Sequence, residues 1–433
     1  MSSNFASSEE IFNQYKDVVE SGVHSNSRDR VYFKRAKGAR VWDIDGNQYL
    51  DFACDNGANI LGHADPDVDN AVRDMLDAGL TCTLESELSL VVARQLQEMV
   101  PSAEQVRFAN TGTEAVMKSI MIARAKTGKD KIVKMEGGYN GWYDDLLVSN
   151  KPDPEKAGPA SLPIPIRSAE GLRDGVERTT IPVPFNDAEN TEKIIGENRD
   201  EIAAVIIDPV LYSCGCILPD PEYLTFLREI TRNNNIVLIF DEMITGFRLA
   251  PGGAQERYGI VPDLSVFGKA LSNGFPLSAV TGKQELMSLT NPGGQVYYGG
   301  TFNGHQIALA AANATLEKLK TGIVQNKLDE LCSELEKRFI DVSENLGVKA
   351  AFQHIGGKFQ IYFDLKSVKG YRTAIKANKK KFKLFSETVM SNGILMKGRH
   401  LTHQGVCFAH EKEDIDQMAK AMKKGLKAVV GGS

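Results

Sequence analysis

The sequence predicts an α/β protein in which a mostly parallel central sheet is flanked by helices, with a smaller α+β domain at the chain ends. Strand-like and helix-like patterns alternate after about residue 86, the strand-like runs are almost wholly apolar, and long helical patterns dominate after about residue 305. A chain of 433 residues also exceeds the size that one core supports. We expect 61–310 to form the large domain, with 1–60 and 311–433 building the small one.

Composition places the chain among ordinary globular proteins and excludes several classes. Apolar residues make up 42% and charged residues 25%, and the net charge of −5 offers no positive field for nucleic acid. The first 20 residues contain no basic segment followed by an apolar core, and no run of about 18 uncharged apolar residues occurs, so we expect no membrane partner and a cytoplasmic location. Six cysteines spread over the chain are typical of free thiols.

The elements follow from the pattern in order. Residues 39–52 alternate around Asp45-Gly46, which indicates a hairpin. A helix from 86, a strand at 105–109, a helix ending at Gly128 and a strand at 131–135 follow. Further strands are predicted at 202–210, 235–243 and 263–269, with a helix at 221–235 between the first two. Right-handed crossovers would align the carboxyl ends of these strands along one edge, where α/β proteins bind ligands.

The run IVLIFDEMITGF (236–247) delivers Asp241 and Glu242 to that edge. A buried carboxylate needs a cationic or hydrogen-bonding partner, and a local ion pair with Arg248 is one explanation. Lys269 offers another, because DLSVFGKALSNGFP (263–276) places a lysine at a neighbouring strand end. A partly desolvated lysine amine forms Schiff bases, and pyridoxal phosphate is the cofactor that uses this with an acid at its ring nitrogen. We therefore predict that Lys269 and Asp241 are catalytic.

Two further loops supply what this cofactor requires. In FANTGTEAVMKS (108–119), Gly112 and Thr113 open a helix whose free N–H groups suit a phosphate, although a Thr111–Glu114 capping box explains the same residues. In KMEGGYNGWYDD (134–145), Tyr139 is available to stack on the ring or to anchor its loop. The four pieces occur at strand ends in the order phosphate loop, aromatic, acid and lysine.

The motifs N-T-G-T-E-A, G-G-Y-N-G, D-P-V, I-F-D-E-M-I-T-G-F-R, F-G-K-A-L-S-N-G-F-P and G-G-T-F-N-G together resemble the class III aminotransferases of the fold type I pyridoxal-phosphate enzymes. Within that group the chain is most similar to the glutamate-1-semialdehyde 2,1-aminomutases. The resemblance implies that Lys269 carries the cofactor, Asp241 pairs with its ring nitrogen and Tyr139 lies against the ring. Gly112 and Thr113 would hold the phosphate.

The same resemblance extends to the ring surroundings and to a second subunit. It implies that Val210 and Met243 pack near the ring, Met243 standing where the family usually has valine. Thr301 would reach the phosphate of a neighbouring subunit, which makes the expected assembly a homodimer with shared active sites. The segment SGVHSNSRDR (21–30) is similar to the substrate-binding segment of the aminomutases, so Ser25 and Arg28 are candidates for the substrate and its carboxylate.

Several departures from the family fall on the substrate side. Asp208 stands where glutamate is usual, Asn140 where histidine follows the stacking tyrosine, and 394–410 lacks the glutamate expected near Thr402. Arg399, His400 and His403 occupy that last region instead. We take Asn140 and Arg399 as substrate-binding candidates, and two histidines without a third ligand do not predict a metal.

These observations favour an aminotransferase that moves an amino group between a carboxylate-bearing donor and a keto or aldehyde acceptor. An aminomutase of the glutamate-1-semialdehyde type, or a racemase, is the alternative within the family. From other classes, a nucleotide-dependent oxidoreductase would require a Gly-x-Gly-x-x-Gly turn after the first strand, which the chain lacks, and a silent binding module would leave Lys269 unused.

Overall fold

A computed structural model describes residues 5–25 and 28–432. The helices are α1 (Ala6–Tyr15), α2 (Pro66–Ala78), α3 (Glu87–Met99), α4 (Gly112–Thr127), α5 (Ala188–Asn198), α6 (Tyr223–Asn233), α7 (Gly253–Tyr258), α8 (Gln284–Met287), α9 (Gln306–Leu319), α10 (Ile323–Asn345), α11 (Tyr371–Ala374), α12 (Lys379–Met390) and α13 (Lys412–Gly431). The strands are β1 (Phe33–Lys37), β2 (Arg40–Asp43), β3 (Gln48–Asp51), β4 (Gln105–Ala109), β5 (Lys131–Met135), β6 (Thr180–Val183), β7 (Ile202–Ile207), β8 (Val237–Asp241), β9 (Leu264–Phe267), β10 (Ser278–Gly282), β11 (Ala350–Ile355), β12 (Lys358–Phe363), β13 (Ile394–Leu395) and β14 (Gln404–Gly405).

The central sheet has seven strands in the order β4-β10-β9-β8-β7-β5-β6. The pairs from β6 through β9 are parallel, and β10 runs antiparallel to both of its neighbours. The prediction of a mostly parallel sheet is therefore confirmed. The sequence analysis did not predict β6 and β10, because TIPV contains a proline and SAVTG is short and built mostly of small residues.

The apolar runs of the central strands are buried because both faces of the sheet are covered. Ile206 and Ile239 pack with residues of α4 in one core cluster. Val205 and Leu238, their neighbours along the same strands, pack with residues of α5 and α6 in another. A strand whose alternate side chains both enter a core has no polar face, which explains the continuous apolar pattern.

The strands end earlier than the apolar pattern indicates. The predicted strands at 202–210, 235–243 and 263–269 stop at Ile207, Asp241 and Phe267. Lys269 has a φ of 47°, a left-handed conformation that does not continue a strand. The residues just past each end form loops at the carboxyl edge of the sheet, where side chains from different strands meet.

The two chain ends share a second sheet. Strand β3 pairs in parallel with β13, so the order β1-β2-β3-β13 joins residues 33–51 to 394–395. A three-stranded sheet, β11-β12-β14, and helices α10, α12 and α13 complete this part of the molecule. The domain boundaries near residues 60 and 310 remain a proposal. None of the helices in the described residues has the length and apolarity that crossing a bilayer requires.

Candidate active site

Asp241 ends β8 with its side chain buried and hydrogen-bonded. Oδ1 accepts from the backbone N–H of Met243 at 3.1 Å, and Oδ2 accepts from Nδ2 of Asn140 at 2.8 Å. Arg248, the alternative ionic partner, instead donates from Nη2 to the carbonyl oxygen of Gly57 at 2.7 Å. Among the described residues Asp241 forms no ion pair, so its charge is open to a ligand cation.

A second carboxylate, Asp208, lies beside it. The same Nδ2 of Asn140 donates to Oδ1 of Asp208 at 3.0 Å, and the hydroxyl of Ser213 donates to Oδ2 at 3.3 Å. Burial raises the pKa of Asp208 well above its usual range, and the charge of Asp241 raises it further. Burial also raises the pKa of Asp241, against the hydrogen bond from Asn140 and the charge of Lys269. Because the two carboxyl groups are adjacent and buried, their ionisations are linked, and a negative charge on one disfavours a negative charge on the other.

Lys269 lies two residues past β9, near both carboxylates. Burial lowers the pKa of the Lys269 ammonium, while the charges of Asp241 and Asp208 oppose that change and the charge of Arg248 adds to it. A lowered pKa increases the fraction of free amine, which is the form that attacks a carbonyl. The structure therefore brings Lys269 and Asp241 to the same edge of the sheet, where the sequence predicts them.

The phosphate candidates Gly112 and Thr113 are the first residues of α4, directly after β4. The capping box is present: Thr111 Oγ1 accepts from the N–H of Glu114, whose side chain accepts from the N–H of Thr111. It coexists with close packing at Gly112, since a Cβ at residue 112 would lie 2.8 Å from Sδ of Met243, whose side chain would have to shift. The start of this 16-residue helix thus combines a positive dipole end with little side-chain bulk.

Tyr139 lies on a loop held against the start of α4. The backbone N–H of Trp142 donates to Thr113 Oγ1 at 3.3 Å, and the Thr113 hydroxyl also bonds the Tyr139 side chain. Gly141 has a φ of 99° and would place a Cβ 2.9 Å from Thr113 Oγ1. Tyr139 remains 45% exposed, so much of its ring is free to cover a bound group.

The two remaining ring candidates differ in environment. Val210 is buried in a small core cluster with Tyr212 and Ala254. Met243 is half-buried. It lies between Gly112 and Gly268, since a Cβ added at either position would lie 2.8 Å from its Sδ. Met243 therefore lies between the loop that leads into α4 and the loop that carries Lys269.

The predicted substrate and dimer residues lie further out. Arg28, Arg399 and Thr301 are exposed, and Ser25 is half-buried. Within the described residues no hydrogen bond joins Arg28, Arg399 or Thr301 to Lys269 or Asp241. Asp29 and Arg399 both influence the pKa of Lys397, so the segments around residues 28 and 399 lie near each other. Asn140, predicted on the substrate side, is buried against the two carboxylates, and its contact with substrate remains a prediction.

Glu242 does not share the role proposed for Asp241, although the two carboxylates are adjacent in the sequence. Glu242 accepts from the N–H groups of Ala254 and Gln255 and from the hydroxyl of Thr245, so it anchors the loop that follows β8. Burial raises the pKa of Glu242 to about 7.

The sequence analysis treated Asp208 only as a departure from the family. Its position directly after an apolar strand was the feature that could have marked it as a site residue.

These residues fit pyridoxal phosphate. A buried carboxylate without a protein cation suits a protonated ring nitrogen, a glycine-opened helix start suits the phosphate, and a desolvated lysine amine suits the aldehyde. The match does not depend on any single residue. All three features open on the same edge of the sheet.

Comparisons with known proteins agree with this geometry. The family model "Aminotransferase class-III" matches residues 23–426. The chain is 38% identical over 423 residues to glutamate-1-semialdehyde 2,1-aminomutase of Methanocaldococcus jannaschii, covering 96% of this chain and 97% of that protein. An omega-transaminase from Sphaerobacter thermophilus superposes with a TM-score of 0.91 at 33% identity, covering 98% and 97%. A transaminase with PLP bound superposes with a TM-score of 0.89 at 26% identity, covering 99% of each chain.

Proposed function

Because the chain belongs to the class III aminotransferases, we propose that it moves an amino group from a carboxylate-bearing donor to a keto or aldehyde acceptor. Its cofactor is pyridoxal phosphate. When bound, the cofactor supplies an aldehyde and a ring that draws electrons from the substrate carbon. The observation that carries the proposal is the placement of Lys269 beside Asp241 and Asp208, two buried carboxylates without an ion pair among the described residues.

Lys269 has two tasks in this proposal. Its amine, whose pKa is lowered by burial, would bind the aldehyde of the cofactor covalently. When it is not bound to the cofactor, the same amine would accept the proton that leaves the substrate carbon and would donate it again in the next step. Both tasks require a neutral amine, which the low dielectric of the site favours.

Asp241 would keep the ring nitrogen of the bound cofactor protonated by providing a negative charge for it. Asn140 fixes the carboxylate by donating to Oδ2, and the raised pKa of Asp208 disfavours a second negative charge beside it. A single buried negative charge matches a single ring cation. Gly112, Thr113, Tyr139, Val210 and Met243 would hold the phosphate and the ring.

The substrate contacts and the assembly are also part of the proposal. Ser25, Arg28 and Arg399 are candidates for the substrate, and an arginine fork suits a carboxylate. The exposure of Thr301 is compatible with a reach into a second copy of the chain, which would make the enzyme a homodimer with shared sites. We propose a cytoplasmic location for this dimer.

A second candidate is an aminomutase, in which the amino group returns to the same molecule. The identity to relatives named glutamate-1-semialdehyde 2,1-aminomutase favours it. The missing glutamate near Thr402, on the segment that carries Arg399, favours the aminotransferase instead.

The test is a two-step assay of the protein loaded with pyridoxal phosphate. In the first step amino acids and amines are added without an acceptor, and absorbance follows conversion of the cofactor to its amino form. In the second step a keto acid is added and its amino product is measured. Product that appears only after the acceptor is added supports the aminotransferase. Isomerised substrate formed without an acceptor identifies the aminomutase, and an unresponsive cofactor refutes both.

A further inference from the structure

Lys134, near the end of β5, is a fully buried lysine whose ammonium is surrounded by backbone carbonyls. Nζ donates to the carbonyl oxygens of Gly138 at 2.9 Å, Leu146 at 2.8 Å and Val148 at 2.9 Å. All three hydrogens of the ammonium are therefore used. Lys358 is equally buried, yet among the described residues its Nζ has no hydrogen-bond partner. The set of carbonyls around Lys134 is thus a specific arrangement and not a general result of burying a lysine.

The three acceptors lie at both ends of one loop, which we call loop 138–148. Gly138 is its first residue, and the other two lie at its end. One backbone bond, from the N–H of Gly137 to the carbonyl oxygen of Ser149 at 2.8 Å, joins the residues just outside the loop. Hydrogen bonds from a charged donor are stronger than those between neutral groups. The buried ammonium therefore holds the two ends of the loop together more firmly than a neutral side chain would.

The peptide unit between Gly138 and Tyr139 is held from both sides. Its carbonyl oxygen accepts from Lys134. Its N–H, which belongs to Tyr139, donates to Oγ of Ser213 at 3.2 Å. Because a peptide unit is planar, bonds to its two opposite edges fix its orientation. That orientation sets the direction in which the chain enters Tyr139 and Asn140.

The two residues that follow this peptide unit make contacts at the candidate site. Asn140 donates from Nδ2 to Oδ2 of Asp241 at 2.8 Å. The side chain of Tyr139 bonds the Thr113 hydroxyl at the start of α4. Each of these contacts is a single hydrogen bond, and hydrogen bonds weaken steeply when their geometry is disturbed. A shift of loop 138–148 would therefore loosen both contacts at the same time.

Lys134 also lies near the two carboxyl groups of the site. Burial lowers its pKa to about 8, against the charges of Asp208, Cys214 and Asp241, so it is mostly charged at neutral pH. Burial raises the pKa of Cys214 to about 12, so that thiol carries no charge. Burial also raises the pKa of Asp208, and the charges of Lys269 and Lys134 oppose that change. Lys134 thus supplies positive charge to the carboxyl groups from within the protein.

We propose that Lys134 is a positioning residue of the active site, which orients the Gly138–Tyr139 peptide so that Tyr139 covers the ring and Asn140 reaches Asp241. This inference rests on the proposed function and deepens it, because it explains how the residues around the cofactor are held in place. Lys134 contacts neither cofactor nor substrate in this proposal, and it acts through loop 138–148.

The test compares two substitutions of Lys134. Lys134→Met keeps a long unbranched side chain and removes every donor, whereas Lys134→Gln keeps a neutral N–H donor on a shorter side chain. Each is made in the wild type and in Asn140→Ala. One control is Leu335→Ala, which truncates a fully buried apolar side chain of α10. The other is Lys383→Met on α12, where the lysine side chain is 73% exposed.

Three quantities are measured for every variant: affinity for pyridoxal phosphate by absorbance titration, kcat/KM across pH, and thermal unfolding. For Lys134→Met we expect the dissociation constant of the cofactor to rise about fivefold and kcat/KM to fall about tenfold, because Tyr139 and Asn140 lose their fixed positions. The acidic limb of the pH profile should move to higher pH, since a lost positive charge and a loosened hydrogen bond both disfavour the ionised carboxylate.

The double substitution tests whether Lys134 acts through the loop. In Asn140→Ala, Lys134→Met should lower kcat/KM only about threefold, because part of the route through which the lysine acts is already gone. Lys134→Gln should lie between Lys134→Met and the wild type in all measurements. Leu335→Ala should lower the melting temperature without moving the acidic limb, and its effect should be the same with and without Asn140. Lys383→Met should change none of these quantities.

Two outcomes overturn the inference. An equal fold loss of kcat/KM with and without Asn140 shows that Lys134 does not act through that contact. A lower melting temperature with unchanged cofactor affinity and an unmoved acidic limb assigns Lys134 a purely structural role. If Lys134→Met does not fold, Lys134→Gln decides between the same outcomes. Cofactor affinity is measured without a donor, so a wild type whose bound cofactor responds to no donor refutes the proposed function and leaves this inference to be decided by affinity alone.

Discussion

Nδ2 of Asn140 lies 2.8 Å from Oδ2 of Asp241 and 3.0 Å from Oδ1 of Asp208. One amide therefore spans two carboxyl groups that are more than 30 residues apart in the chain. The amide donates to the charged form of Asp241 and favours its ionisation, against the burial that raises its pKa. Asn140 thus contributes to keeping an anion at the position that we propose for the partner of the ring nitrogen.

Asn140→Ala should raise the pKa of Asp241, because the hydrogen bond that stabilises the carboxylate is lost. The loss of activity on the acidic side of the pH profile should then move to higher pH. At pH 7 we expect kcat/KM to fall about tenfold or more, the cost of one charge-assisted hydrogen bond. The control is Asn70→Ala on the exposed face of α2. An acidic limb at the wild-type position would show that Asn140 does not tune Asp241.

Lys269→Ala should abolish both turnover and the near-visible absorbance of the lysine-bound cofactor, since no other amine replaces it there. Absorbance spectroscopy after loading with pyridoxal phosphate measures the bond, and the two-step assay measures turnover. Lys134→Ala serves as a contrast: this lysine holds three loop carbonyls, so we expect it to lower the melting temperature. Retained turnover in Lys269→Ala would refute the assignment of the lysine.

Gly112→Val should weaken binding of pyridoxal phosphate by about tenfold, because a side chain at this position meets Met243 and enters the space over the start of α4. Titration of the unloaded protein with the cofactor measures the change. Gly196→Ala is the control, since a Cβ there has nothing within 4 Å and lies inside helix α5. That substitution should stabilise the protein by about 0.5–1 kcal/mol. Unaltered affinity in Gly112→Val would place the phosphate elsewhere.

Lys358 should make the stability of the protein depend on alkaline pH. Its pKa falls from 10.5 to about 8 on folding, so below pH 8 both states are protonated and the folded state carries the full cost of the buried charge. Between pH 8 and 10.5 only the unfolded state keeps the proton, and stability rises through that window.

Relative to Lys358→Met, the wild type should therefore be less stable by about 3 kcal/mol at pH 7, and the gap should narrow as the pH rises above 8. Denaturant unfolding of the two proteins at pH 7 and pH 9.5 measures the difference. Lys383→Met should show no gap at either pH. A wild type that is more stable than Lys358→Met at pH 7 would contradict the pKa shift.

A shared active site predicts complementation between two inactive variants. Lys269→Ala lacks the lysine, and Thr301→Arg should block the phosphate of the neighbouring subunit. Mixed dimers would contain one site with both residues intact, so unfolding and refolding the two proteins together should recover about a quarter of wild-type activity. Activity no higher than the sum of the separate variants would argue against Thr301 acting across the dimer.

The sequence by itself determined the strands that carry Asp241 and Lys269. Asp241 and Lys269 each follow an apolar run that only a strand covered on both faces can accommodate. Parallel strands bring their carboxyl ends to one edge of the sheet. It also determined the start of α4, because Thr111, Gly112 and Glu114 act through local hydrogen bonds and a local lack of side chain. The order of the motifs along the chain then indicated the family and, with it, the cofactor.

The tertiary structure alone decided how residues from distant loops meet. Strand β7 lies between β5 and β8, so the loops after these strands bring Asn140, Asp208 and Asp241 together, although 101 residues separate Asn140 from Asp241. Lys358 is the clearer case, since the sequence does not say whether a lysine at a strand start is buried. Its burial, and its lack of an ionic partner among the described residues, depend on Gly57, His403 and Gly405, which only the packing of the chain ends against the central sheet brings around it. Burial and charge pairing are properties of neighbours in space, and neighbours in space are not fixed by local pattern.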